Sequence, residues 1–256
     1  MTHDDLPKRL YEAITTRTAI SPDADDLTVD RAYELQDELI SLLGRAPVAA
    51  KLGLTSVAKQ QQMNVAEPAY GWLLQGSNVE VGSALACGEL IQPRVEPEIA
   101  FLIGRDLSGP DVSATEVLRA TEAVLPAIDV LDSRYAGYRF TLPAVVADNI
   151  SSARYAVGNP VSSQKFSGAG IDLRLVGCVF EVDGRLVSTA AGAAILDHPA
   201  AAVAWFVRSL AARDRILEAG TLVLAGAMTA AVPVSPGQVV RATIDRIGTV
   251  EVRCGE

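Results

Sequence analysis

Histidine and cysteine are scarce in this 256-residue chain, which contains two histidines and three cysteines. Two histidines, His3 and His198, make a catalytic triad built on histidine implausible. The cysteines, Cys87, Cys178 and Cys254, are far apart and odd in number, so they predict neither a disulfide framework nor a zinc site. The chemistry of the protein must therefore come from other side chains.

Positive charge and long apolar runs are also lacking. The 22 basic residues form no cluster and are outnumbered by 31 acidic ones, giving a net charge of −9. This balance argues against nucleic acids and anionic membrane surfaces as partners. The first twenty residues show no apolar core of a signal peptide, and no apolar stretch is long enough to span a bilayer. We therefore expect a soluble, cytoplasmic, globular protein.

Three segments carry the periodicity and capping residues of helices, at 28–44, 113–125 and 197–212. Thr28 and Asp197 are the predicted N-caps of the first and third, and Gly44 ends the first. Ser113 and Glu116 form a capping box at the start of the second.

Strand signals dominate the second half of the chain. Asp183 and Gly184 lie between strand-forming residues, which predicts a hairpin. A buried strand is predicted at 221–224 and a closing hairpin at 239–253. Helices and strands do not alternate regularly, so the sequence predicts an α+β protein rather than a doubly wound parallel sheet. We expect one structural unit, with an N-terminal helical region (1–75) packed on a β-rich catalytic domain (76–256).

The segment 93–103 carries two acids on one face of a predicted strand. Glu96 and Glu98 share that face with Arg94, and the apolar residues around them predict partial burial. Two buried like charges repel each other, and Mg²⁺ or Mn²⁺ would relieve the repulsion. The alternative is a solvated strand face, with both acids in water or paired with Arg94.

A third acid is available about thirty residues later, at Asp129. It lies among apolar residues, where a lone carboxylate is costly without a partner. Asp132 competes for the same role, although it could equally cap a turn or pair with Arg134. Lys51 lies in another apolar stretch, at 47–54, where it is either an active-site cation or a lysine that extends from a strand edge into water.

A series of short motifs, in this order and spacing, resembles the fumarylacetoacetate hydrolase superfamily. Within it, the chain is similar to the branch of 2-hydroxypentadienoate hydratases and 2-oxo-3-hexenedioate (4-oxalocrotonate) decarboxylases. The motifs are Lys51-Leu-Gly-Leu-Thr-Ser56, Lys59-Gln-Gln-Gln-Met63, Glu67-Pro-Ala-Tyr-Gly71, Pro93-Arg-Val-Glu-Pro-Glu98, Asp132-Ser-Arg134, Ala147-Asp-Asn-Ile-Ser-Ser152, Gly192-Ala-Ala-Ile-Leu-Asp-His-Pro199 and Ala225-Gly-Ala-Met-Thr229.

The resemblance implies a mixed β-roll with a helical N-terminal region, a homo-oligomer and a divalent metal, Mg²⁺ or Mn²⁺. It implies Glu96, Glu98 and Asp129 as the metal ligands, with Asp129 at a position where this branch usually has Glu. Lys51 and Arg134 are the implied catalytic residues. The implied substrate contacts are Leu54, Thr55, Ala69, Tyr70, Asn149, Ser152 and Thr229.

Ala69 bears on the choice of reaction. Hydratases of this branch usually carry an acid there, whereas the decarboxylases have an uncharged residue. The resemblance therefore implies metal-dependent decarboxylation of a short unsaturated 2-oxo diacid from aromatic meta-cleavage, giving a 2-hydroxydienoate. Alternatives are a 2-hydroxypenta-2,4-dienoate hydratase, an acylpyruvate-type C–C hydrolase, and a non-catalytic, metal-bound partner subunit of a hydratase–decarboxylase complex.

Overall fold

The computed structural model describes residues 3–21, 26–56, 60, 67–165 and 170–256. Of the motif at 59–63, only Gln60 falls within these residues. The α-helices of the described residues are α1 (Leu6–Thr16), α2 (Val29–Leu43), α3 (Ala114–Ala120), α4 (Leu142–Ala147) and α5 (Pro199–Ala211). Within this part of the chain, every helix is too short or too polar to cross a membrane.

The strands form two sheets. They are β1 (Pro47–Gly53), β2 (Ala69–Leu74), β3 (Ala84–Ala86), β4 (Arg94–Ile103), β5 (Thr121–Leu131), β6 (Ser152–Val157), β7 (Val161–Ser162), β8 (Gly177–Val182), β9 (Arg185–Ala191), β10 (Leu222–Ala227), β11 (Val232–Pro233), β12 (Val239–Ile244) and β13 (Gly248–Gly255). The larger sheet has the order β2-β1-β10-β4-β5-β6, with β11 also paired to β4 and β7 to β5. The smaller sheet has the order β3-β13-β12-β8-β9.

The predicted helix signals are confirmed at most positions. The Thr28 hydroxyl accepts a hydrogen bond from the Arg31 N–H at 3.3 Å, and Gly44 ends α2 in the left-handed conformation (φ 62°). The capping box of Ser113 and Glu116 opens α3.

Two helix boundaries were predicted wrongly. The second helix ends at Ala120 instead of near residue 125, because β5 begins at Thr121 and pairs along its length with β4. The third helix is capped by His198 rather than Asp197. The His198 Nδ1 accepts a hydrogen bond from the Ala200 N–H at 3.0 Å, whereas Asp197 has a φ of 64° and lies outside the helix.

The strand predictions in the second half are confirmed. Asp183 and Gly184 join β8 to β9, and both have positive φ (53° and 69°), as a tight two-residue hairpin turn requires. Strand β10 contains residues 222–224 of the predicted segment, of which 223 and 224 are buried, and β12 and β13 form the closing hairpin.

The larger sheet curls until its two end strands meet. The Val79 N–H donates to the Tyr155 carbonyl at 2.7 Å, and the Tyr155 N–H donates to the Ser77 carbonyl at 2.9 Å, which joins the segment after β2 to β6. Strand β1 runs parallel to β10 while the other pairs along the main path are antiparallel. The sheet is therefore a mixed β-roll, and the α+β class with N-terminal helices is confirmed.

Helices α1, α2, α4 and α5 pack around this roll and bury one large hydrophobic cluster with it. Gln36 of α2 is buried, and its amide donates to the carbonyls of Tyr70 (3.1 Å) and Val146 (2.9 Å), which ties the helix to β2 and α4. The division of the chain at residue 75 stays a prediction; β1 and β2, which precede it, belong to the same sheet as β4 and β5.

Candidate metal centre

Three carboxylates meet on the inner face of the roll. In the register of β4 and β5, Glu96 lies directly opposite Asp129, and Glu98 is two residues further along the same face. One carboxylate oxygen from each of the three lies within 4.8 Å of the others. Their exposed fractions are 6% for Glu96 and 0% for Glu98 and Asp129. The alternative of a solvated strand face is therefore excluded.

Electrostatics at this cluster favour a cation. Burial, together with the negative charges of Asp129 and Glu96, raises the pKa of Glu98 well above its usual value, although Lys51 acts in the opposite direction. One oxygen of Glu98 accepts a hydrogen bond from the Gly226 N–H at 2.7 Å. Its other oxygen is buried and has no hydrogen-bond partner among the described residues. Carboxylate oxygens are the donors that Mg²⁺ and Mn²⁺ prefer, so these residues fit a divalent metal.

Lys51 reaches the same cluster from β1. Its Nζ lies 2.5 Å from the Asp129 Oδ2 and donates to the Ile150 carbonyl at 3.2 Å. Only 1% of the residue is exposed, so it does not extend from a strand edge into water. One ammonium beside three carboxylates leaves two negative charges when all four groups are ionised. A divalent cation would balance them.

The contact between Lys51 and Asp129 depends on the curl of the sheet. Strands β10 and β4 separate β1 from β5, which would place the backbones of β1 and β5 about 14 Å apart in a flat sheet. In the roll, the inner faces converge and the two side chains touch.

Gly226 and Thr55 complete the wall of the site. No role for Gly226 was predicted from the sequence. An added Cβ at Gly226 would lie 1.9 Å from the Thr55 Oγ1, and its φ of +110° favours glycine. Thr55 therefore lies against the residue whose N–H binds Glu98. The signal that could have identified Gly226 is its place inside the 225–229 motif.

The similarity of the whole chain to known proteins agrees with this site. The profile of the fumarylacetoacetate (FAA) hydrolase C-terminal family matches residues 47–254. The chain belongs to this family. It is 39% identical over 237 residues to a 4-oxalocrotonate decarboxylase of Pseudomonas sp. (strain CF600), covering 91% of this chain and 88% of that protein.

Two further proteins are similar to nearly the whole chain. A 2-keto-4-pentenoate hydratase of Paraburkholderia xenovorans (strain LB400) is 39% identical over 254 residues, covering 96% of this chain and 93% of that protein. The structure of 4-oxalocrotonate decarboxylase from Pseudomonas putida G7, complexed with magnesium and adipate, superposes with a TM-score of 0.92. It is 35% identical and covers 99% of this chain and 98% of that one.

Several other residues implied by the family resemblance lie on the strands around the cluster or just after them. Ala69 pairs with Gly53 and shares the face of β2 and β1 that carries Lys51. Leu54 follows Gly53, is half-buried and has a φ of 57°. Thr229 is half-buried two residues after Ala227, which pairs with Glu98.

The described contacts of the Tyr70 and Arg134 side chains are with residues other than the three carboxylates. The Tyr70 ring lies in an aromatic cluster, with ring centroids 4.5 Å from Tyr33 and 5.0 Å from Phe206. Arg134 is buried and pairs with Asp148, and it also donates to the carbonyls of Asp132 (2.7 Å) and Ser152 (3.0 Å). Its bonds join the segment after β5 to the start of β6.

Asp132, the competing third acid, has a structural role instead. Its carboxylate accepts hydrogen bonds from the N–H groups of Ile91 and Gln92 at 2.7–3.0 Å. Burial raises its pKa, and these bonds act against that shift.

Asn149 and Ser152 direct their side chains to the backbone of one residue. The Asn149 amide donates to the Trp72 carbonyl at 2.8 Å and accepts from the Trp72 N–H at 2.7 Å. The Ser152 hydroxyl donates to the same carbonyl at 2.9 Å. Contact of either side chain with a substrate stays a prediction.

Proposed function

We propose that this protein is a metal-dependent decarboxylase of a short unsaturated 2-oxo diacid of the 2-oxo-3-hexenedioate type, in aromatic meta-cleavage. The observation that carries the proposal is the buried cluster of Glu96, Glu98 and Asp129, with the Lys51 ammonium 2.5 Å from Asp129. The near end-to-end similarity to 4-oxalocrotonate decarboxylases supports the substrate class.

The three carboxylates would hold Mg²⁺ or Mn²⁺, which supplies a Lewis acid for the negative charge that develops on the 2-oxo oxygen. Lys51 holds protons at Nζ beside this position and can neutralise that oxygen or deliver a proton to it. The buried surroundings exclude water, which strengthens both interactions.

The reaction needs no protein nucleophile. The bond between the distal carboxylate carbon and its neighbour breaks, and CO₂ leaves. The electron pair moves through the conjugated double bond to the 2-oxo oxygen, which takes up one proton to give the 2-hydroxydienoate. Ala69 contributes by carrying no charge, because an acid at this position would repel the departing carboxylate.

A hydratase acting on 2-hydroxypenta-2,4-dienoate is the second candidate function. It is favoured by the 39% identity over 254 residues to a 2-keto-4-pentenoate hydratase. Adding water to a dienol requires positioned acid–base groups, and Ala69 offers none at its position.

Product analysis separates the two reactions. The purified protein with Mg²⁺ is given the diacid and the dienoate in parallel, and CO₂ and product masses are measured. We expect CO₂ from the diacid and little hydration of the dienoate, and Ala69→Asp should slow diacid turnover. Hydration of the dienoate with no CO₂ from the diacid would establish the hydratase instead. Inactivity towards both would favour the C–C hydrolase or the non-catalytic partner subunit.

The proposal includes a cytoplasmic homo-oligomer that can associate with a related hydratase. Four exposed apolar residues on β8 and β9, or just before β8, support an interface at this edge of the smaller sheet: Leu175, Val179, Leu186 and Val187. All three cysteines are buried thiols, which agrees with a reducing compartment. Light scattering of the purified protein, alone and with the hydratase, measures both associations.

A further inference from the structure

A strained turn precedes β6 and touches Lys51. Asn149, Ile150 and Ser151 have φ values of 49°, 41° and 57°, three successive non-glycine residues in the left-handed region. This conformation is particularly unfavourable for a β-branched residue such as Ile150. Such a turn persists only when the surrounding contacts hold it, and strain of this kind concentrates at functional sites.

The turn rests on the face of the sheet that carries Lys51. Gly71 pairs with Lys51 across β1 and β2, and an added Cβ there would lie 2.7 Å from the Asn149 carbonyl oxygen, its Oδ1 and the Ile150 Cγ1. Gly53, two residues after Lys51, leaves room for the Ile150 Cδ1, which an added Cβ would approach to 3.3 Å. Two glycines beside Lys51 thus make space for this turn.

Asn149 binds the turn to the outer edge of β2. Strand β2 is an end strand, so no further strand pairs with its outer edge along the main path. The Asn149 side-chain amide takes that place, because it binds both the N–H and the carbonyl of Trp72. The bonds fix the carbonyl of the next residue, Ile150, at 3.2 Å from the Lys51 Nζ.

We propose that Asn149 is a positioning residue for Lys51. The Asn149 amide binds the strained turn to Trp72. The turn places the Ile150 carbonyl beside the Lys51 ammonium, where it fixes the direction of one of the three N–H bonds of that group. Asp129 fixes a second, and the third is then set for the substrate. The inference rests on the proposed function, in which Lys51 acts on the reacting oxygen.

The test compares Asn149→Ala with Gln36→Met. Gln36 is also a buried amide bound to the β2 backbone, at Tyr70, but it approaches from α2, and its two hydrogen bonds go to Tyr70 and Val146 rather than to the turn. Both variants lose two buried hydrogen bonds, so both should lower the melting temperature. With Mg²⁺ at saturation, Asn149→Ala should lower kcat for CO₂ release about 10- to 100-fold with little change in KM, because the lysine is displaced. Gln36→Met should retain kcat.

A second measurement does not depend on the reaction. Trinitrobenzenesulfonate modifies accessible lysine amines, and peptide mass spectrometry reports the rate at Lys51. We expect Lys51 to be modified faster in Asn149→Ala than in wild type. In Gln36→Met, the rate of Lys51 modification should rise no more than the loss of stability of that variant explains. If Asn149→Ala does not fold, Asn149→Gly serves instead, because glycine adopts the left-handed conformation without strain and lacks the amide.

The outcomes are distinct. Equal kcat and equal Lys51 modification in the Asn149 and Gln36 variants would show that Asn149 is only structural. If the wild type releases no CO₂ from the diacid, the proposed function fails, and the modification rates still decide whether Asn149 positions Lys51.

Discussion

At the scale of single residues, Lys51 both balances charge and fills space in the interior. It is buried beside Asp129, and it lies within a sheet whose neighbouring residues are also buried. From the sequence alone, replacing this lysine should change catalysis far more than folding. The buried ion pair adds a stability effect, because removing one partner leaves the other charge uncompensated.

Lys51→Met should therefore have two effects. The variant keeps most of the side-chain volume, and kcat should fall about 10²- to 10³-fold, as for other groups that stabilise a developing oxyanion. Without metal, the free energy of unfolding should fall by about 3–5 kcal/mol. Saturating Mg²⁺ should reduce this second loss, because a bound cation compensates Asp129. Steady-state kinetics and urea unfolding with and without Mg²⁺ measure both effects; an unchanged kcat would remove Lys51 from the mechanism.

At the scale of elements, strand β10 joins Lys51 to the carboxylates. It lies between β1 and β4, and its Gly226 N–H binds Glu98 while its missing side chain makes room for Thr55. The strand therefore shapes the site through its backbone and a glycine rather than through a charged side chain.

Gly226→Ala should weaken Mg²⁺ binding as well as stability. The new methyl group would overlap Thr55, and the positive φ alone is expected to cost about 1–3 kcal/mol. Gly184→Ala is the matched control, because Gly184 also has a positive φ (+69°) but has open space around it. Calorimetric Mg²⁺ titration should show weaker binding only for Gly226→Ala. Equal Mg²⁺ affinities in the two variants would contradict a role for Gly226 at the site.

The Arg134–Asp148 pair connects β5 to the turn before β6, and it predicts a pH effect. Burial raises the pKa of Asp148 from 3.8 to about 6, although Arg134 acts against the shift. Because the folded state then binds a proton more tightly than the unfolded state, this carboxyl's contribution to stability declines as pH rises from about 4 to about 6.

Asp148→Asn removes this titration and keeps a neutral side chain beside Arg134 at every pH. Because only the wild type loses stability across that interval, any stability deficit of the variant should narrow as pH rises. Urea unfolding of both proteins at a series of pH values measures the difference. A difference that widens with pH would mean that the Asp148 pKa is lowered in the folded state.

At the scale of the whole molecule, the unbalanced charge in the roll should link metal binding to folding. Mg²⁺ that binds only the folded state stabilises it by about 2.7 kcal/mol at a concentration one hundred times the dissociation constant. The melting temperature of the wild type should therefore rise with Mg²⁺ concentration.

Glu98→Gln provides the control for this effect. The substitution keeps the shape but removes a charge that burial and two neighbouring acids disfavour. Without metal, the variant should melt at a higher temperature than wild type, and Mg²⁺ should shift it little. Calorimetric melting with and without Mg²⁺ gives both values; a full Mg²⁺ shift in the variant would place the metal elsewhere.

Local features could be predicted because they depend on residues close together in the chain. The cap at Thr28, the capping box at Ser113, the turn at Asp183 and the shared face of Glu96 and Glu98 follow from helix and strand periodicity. The family resemblance added the mixed β-roll and selected Asp129 rather than Asp132 as the third acid. The structure shows where each of these residues lies, while the roles of the site residues stay predictions.

The tertiary structure alone decided what these residues touch. Residues 121–125 continue a helical pattern locally, yet they form a strand because β4 offers a full set of backbone partners. The curl of the sheet brings Lys51 to Asp129 across two intervening strands, places Thr55 over Gly226, and directs the Asn149 amide to Trp72. Asn149 and Trp72 are 77 residues apart in the chain (149 minus 72), and Thr55 and Gly226 are 171 residues apart (226 minus 55). No local pattern encodes these contacts, because they depend on how far the whole sheet bends before its end strands meet.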